Sequence, residues 1–95
     1  MQKPVLTIER DGDKLSVSGE LDRAVGANLE QAIAEFGDGP CELDLRGLEF
    51  LDSAGLHCLL RIKHAHPGVC IPQASVPKPA LRVIDILGLR ARLLG

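Results

Sequence analysis

Hydrophobic and polar residues alternate with a period of two in some stretches of this chain and recur at the helical period in others, and the two patterns follow one another. Val5 to Arg10 is strand-like, and Asp11-Gly12-Asp13 supplies a turn. Lys14 to Leu21 alternates cleanly, with Leu15, Val17 and Leu21 against Ser16 and Ser18, so the first two strands should form a hairpin. Asp22 is a good N-cap for a helix whose apolar positions are Val25, Leu29, Ala32, Ile33 and Phe36, with Gly37 as its stop. Gly26 falls inside that helix, at a cost of about 1 kcal/mol relative to alanine.

The stretch from Cys41 to Leu60 changes period midway. Cys41, Leu43 and Leu45 alternate with Glu42, Asp44 and Arg46 as in a half-buried strand, whereas Leu56, Leu59 and Leu60 have helical spacing. A strand therefore runs into a helix through Asp52-Ser53, and the Pro67-Gly68 pair ends that helix. Val69-Cys70-Ile71 reads as a short buried strand closed by Pro72. Pro77-Lys78-Pro79 opens another helix, with Leu81, Ile84 and Leu87 as its stripe and Gly88 at C′. Arg90 to Gly95 leaves room for a short edge strand but no closing helix. The expected fold is α/β, a mixed sheet of about four to five strands with about three helices on one side. Leu43, Leu45, Leu56 and Leu60 are expected in its core.

At 95 residues this is one domain, and its 45% hydrophobic and 25% charged content is that of a soluble globular protein. With Phe36 and Phe50 as the two aromatics, the core must be aliphatic. A formal charge of −2 and the lack of Trp and Tyr argue against a nucleic-acid binder. Met1-Gln2-Lys3-Pro4 has no apolar region of a signal peptide, and no apolar run approaches the ~18 residues of a membrane span, so the expected location is cytoplasmic, without direct membrane insertion. Cys41, Cys58 and Cys70 form no CxxC pair and read as free thiols. His64 and His66 sit near a helix C-terminus, where the dipole favours them, and no four ligands have zinc-like spacing. No metal or other cofactor is expected.

Asp52-Ser53 is where chemistry concentrates, and four readings compete. Either residue caps the helix. A nucleophile elbow needs G-x-S-x-G, but Leu51 stands in place of the first glycine, and no third group is evident to orient His57. A phosphate-binding loop needs a glycine-rich run ending in Gly-Lys-Ser/Thr, which is absent. The fourth reading is a phosphorylation site, since a helix N-terminus tolerates the roughly −1.5 to −2 charges of a phosphate without unfolding.

Asp52-Ser53-Ala54-Gly55-Leu56, preceded by Leu43-Asp44-Leu45, resembles the signature of the sulfate-transporter and anti-sigma-factor-antagonist (STAS) domain family. Gly19-Glu20-Leu21-Asp22 matches a second family tetrapeptide, and Ile86-Leu87-Gly88-Leu89 resembles the family's third-helix ending. The resemblance implies an anti-sigma factor antagonist with Ser53 as its phosphorylation site. It also implies an anti-sigma factor serine kinase as partner and a PP2C-type phosphatase acting on phosphorylated Ser53. By the same resemblance the partner-binding surface is Asp22 together with Asp52, Ser53, Ala54, Gly55 and Leu56. Antagonists of the family usually continue past the Gly-Leu pair through a further strand and helix, and this chain departs from that. A compact STAS protein also resembles the small cytoplasmic subunits that bind the ATPase of bacterial lipid-transport ABC systems. The functions open are thus a phospho-switched binding module, a constitutive accessory subunit and, least favoured, an enzyme.

Overall fold

The computed structural model describes residues 6–22, 25–37 and 39–95. Strand β1 (Leu6–Asp11) and strand β2 (Lys14–Leu21) form the antiparallel hairpin that the Asp-Gly turn implies, with Gly12 at φ 62 where a side chain would be strained. Helix α1 (Gly26–Ala34) crosses over to strand β3 (Cys41–Leu51), which lies parallel to β2. Helix α2 (Ser53–Ala65) then leads to strand β4 (Val69–Cys70), parallel to β3, so the four strands lie in chain order. Helix α3 (Lys78–Ile86) and a single turn, α4 (Arg90–Leu93), follow. This is the α/β mixed sheet that the alternating patterns imply.

One face of the sheet is apolar. Leu15, Val17 and Leu21 of β2 and Cys41, Leu43, Leu45 and Leu48 of β3 are all buried, in one cluster with Leu29 and Ile33 of α1 and Leu56, Leu59 and Ile62 of α2. Leu60, expected in the core, is only half-buried, because the phase of α2 turns Leu59 fully inward in its place. The jump from Leu45 to Leu48 breaks strict alternation for a structural reason. The pairing with β2 shifts register between Ser16 and Ser18, opposite Asp44 and Gly47, so β3 bulges and returns its next leucine to the core. Gly47 suits that bulge, because a Cβ there would lie 2.5 Å from the Ser18 Cβ.

The opposite face is polar, and Asp44 is its one buried carboxylate among the described residues. Arg46 holds it with a two-pronged contact, Nη2 at 2.7 Å from Oδ2, while the Arg46 backbone N–H donates to Oδ1 at 3.0 Å and Lys14 Nζ lies 3.3 Å away. The Arg46 guanidinium therefore keeps the Asp44 carboxyl far below the usual carboxylate range, against the opposing effect of burial.

Two expectations are corrected at helix ends. The N-cap of α1 is Val25 rather than Asp22, and the helix begins at Gly26. Asp22 instead closes the turn before it: its Oδ1 accepts the Val25 N–H at 3.3 Å and its carbonyl accepts the Gly26 N–H at 3.1 Å. Residues 23 and 24 of the expected helix start, and Val5 of the expected first strand, lie outside the described residues. At the other end, Arg90–Leu93 is a helical turn, not an edge strand. Gly88 at φ 69 reverses the chain after α3, Arg90 pairs with Asp85 at 2.6 Å, and the turn carries Leu93 into the core with no exposed surface. Only Gly95 reaches the sheet side, exchanging two backbone hydrogen bonds with Ile71.

Two measurements follow from this packing. Leu45 is almost wholly buried, so Leu45→Ala should destabilise the domain by about 2–5 kcal/mol in urea unfolding. Asp44 has a folded pKa below its unfolded one, so its contribution is complete above about pH 4 and is lost as pH falls further. The urea midpoint should drop between about pH 6 and about pH 3, and Asp44→Asn should reduce that drop.

Candidate functional site

The site is built by the last register pair of the parallel strands, Leu21 beside Leu51. Neighbouring strands lie about 4.8 Å apart, so Asp22 and Asp52, each the next residue, leave the sheet side by side at one end. Asp52 has an extended backbone (φ −98, ψ −179) and caps α2, its Oδ1 accepting the Gly55 N–H at 2.7 Å. Its carbonyl accepts the Leu56 N–H at 2.9 Å. Ser53 is the first residue of the helix, exposed, and its hydroxyl makes no hydrogen bond among the described residues. The cap is thus the aspartate, and the serine oxygen faces solvent beside the positive end of a 13-residue helix.

Gly55 seats this arrangement. A Cβ at that position would run into the carbonyl oxygen of Leu21 and lie 2.9 Å from Leu51 Cδ1, so only a glycine lets the first turn of α2 rest on the end of β2. Leu56 is buried behind it. Of the residues singled out in the sequence, Ser53 is open to solvent and Asp22, Asp52 and Ala54 are half-buried at the surface, while Gly55 and Leu56 lie beneath and hold the others in place.

Beside Asp22 and Ala54 runs a groove of about 380 Å³ between α1 and α2, which the sequence reading did not foresee. Glu30 from α1 and His57 and Arg61 from α2 line it, and Arg61 Nη2 pairs with Glu30 Oε2 at 3.1 Å. At its floor the Cys58 thiol donates to the Gly26 carbonyl at 3.4 Å and lies 3.7 Å from the Glu30 carboxylate. Burial, reinforced by the Glu30 charge, pushes this thiol up to about 11, so it stays protonated and is no nucleophile. A Cβ on Gly26 would sit 3.2 Å from Cys58 Sγ. The close approach of the two helices is what a glycine in α1 permits, and its one visible signal in the sequence is that otherwise costly residue.

Among the described residues, no hydrogen bond links Ser53 to His57, as a hydrolase relay would need. No group of three or more His, Cys, Asp or Glu side chains among the described residues could hold a metal ion, and no helix there is long and apolar enough to cross a membrane.

A mixed sheet covered by helices on one face, with an aspartate-capped serine at the end of its central strand, defines a small binding domain of the STAS type. The family described as "Mlab, STAS domain" matches residues 5–95, nearly the whole chain, and the chain belongs to the STAS domain family. It is similar to the crystal structure of an anti-sigma factor antagonist from Mycobacterium paratuberculosis, with a TM-score of 0.65 and 29% sequence identity over 90% of this chain and 79% of that one. No curated protein sequence matches.

The seat of α2 on β2 can be tested directly. Gly55→Ala should cost about 1–3 kcal/mol of stability by forcing the helix off Leu21. Gly39→Ala, where a Cβ meets nothing within 4 Å, should leave the urea midpoint nearly unchanged.

Proposed function

We propose that this protein is an anti-sigma factor antagonist, a bacterial cytoplasmic switch that binds an anti-sigma factor serine kinase when Ser53 is unmodified and thereby releases a sigma factor. In this reading the kinase phosphorylates Ser53, and a PP2C-type phosphatase restores the binding form. The observation that carries it is the division of labour at the start of α2. Asp52 makes the cap, which leaves the Ser53 hydroxyl exposed on the same sheet end as Asp22. The similarity to the mycobacterial antagonist structure supports the same role. The domain is then a binding module, not an enzyme.

A partner covering this end of the sheet must accommodate Ser53. Adding a phosphate there places a dianion beside the Asp22 and Asp52 carboxylates, and covering it without a basic partner carries a desolvation cost. The fold bears little of that cost, because the added charge lies on the surface at a helix N-terminus. The penalty falls on the complex.

A second reading has its own support: the matching family is described by the name Mlab, not as an antagonist. On that reading the same surface serves a constitutive accessory subunit of a bacterial lipid-transport ABC system, with no covalent switching.

Calorimetric titration against the partner kinase in ADP separates the two. Ser53→Ala should bind constitutively, while phosphorylated protein and Ser53→Glu should bind more weakly by at least ~1–3 kcal/mol, with little change in melting temperature. Equal affinity of the phosphorylated and unmodified forms would sink the antagonist reading and leave the constitutive subunit.

A further inference from the structure

The groove-facing side of α2 carries His57. His57 follows Ser53 by four residues within the same helix, and both are exposed. Residues four apart on a helix have Cβ atoms about 5–6 Å from each other, and an acidic group N-terminal to a basic one is the favourable order. Helical side chains also lean toward the N-terminus, a direction that brings the imidazole within reach of the turn bearing Ser53. Among the described residues His57 makes no hydrogen bond or ion pair that would hold it elsewhere.

We propose that His57 is the built-in counter-charge for a phosphate on Ser53. This rests on the reading of Ser53 as a phosphorylation site. Among the described residues, the other charged groups around the groove leave the role to His57. Glu30 of α1 and Asp22 at the end of β2 are acidic, as is Asp52 at the cap, and all three oppose a phosphate. Arg61 lies a further turn along α2 and is engaged by Glu30 at 3.1 Å. The Cys58 thiol stays protonated and contributes no charge.

A serine phosphate takes up its last proton near about pH 6. A cationic side chain beside it favours the dianion, which lowers that midpoint, and offsets part of the phosphate charge within the domain.

The test installs phosphoserine at position 53 during translation and follows the ³¹P resonance against pH in the full chain. No kinase is involved, so the result is independent of whether the cell ever modifies Ser53. The parent should show a phosphate midpoint about 0.3 pH unit below that of His57→Gln. His57→Lys should keep the lowered midpoint. Thermal melts of the unphosphorylated variants check that each is folded, as exposure of position 57 leads one to expect. Equal midpoints in the parent and His57→Gln overturn the assignment, whatever the lysine variant does.

Discussion

The functional end of this domain depends on one contact, the seat of the first turn of α2 on the carbonyl of Leu21 at the end of β2. Parallel pairing brings Leu21 and Leu51 side by side, and the absence of a Cβ at Gly55 lets the helix that leaves β3 close over the end of β2. Asp22 and Asp52 consequently share one edge, although 30 residues of sequence, the difference of their numbers, separate them. Without that seat the helix would lift away and the serine would no longer stand beside the α1 to β2 junction. The rest of the core serves this placement, since Leu56 and Leu59 anchor the same helix against the apolar face of the sheet.

In the proposed switch, the same geometry would separate stability from signalling. Asp52 satisfies a helix N–H that would otherwise need another acceptor, so the cap does not need the Ser53 hydroxyl. Charge that the fold does require is kept on the opposite face, where Lys14 and Arg46 surround Asp44. In the proposed switch, a phosphate on Ser53 would act on whatever covers the sheet end, while the buried leucines and the Asp44 cluster would be untouched. Such a switch would alter an interface and leave the domain folded.

Much of this was legible in the sequence because it is local. The hairpin follows from alternation on either side of Asp11-Gly12-Asp13, and the junction at Asp52 from a strand period meeting a helical one. The Asp22 cap was misplaced because a good capping residue and the true helix start are separated here by a turn, in which Asp22 bonds the Val25 N–H without being the cap. The α4 turn was missed because its cause is distant: Leu93 is drawn into a core made by other elements, and Arg90 is fixed by Asp85 and Gln73. The groove was invisible for a similar reason. Glu30, Cys58 and Arg61 meet only when α1 and α2 are packed together, and no period within either helix announces it.

The claim on which the functional account turns is that Ser53 is a position the cell modifies. Mass spectrometry of the protein isolated from its native cell, across growth and stress conditions, tests it most directly. The account predicts a fraction bearing a single phosphate that fragmentation assigns to Ser53, and that fraction should change between conditions. A chain unmodified at Ser53 under every condition, while its partner is present and active, would contradict it.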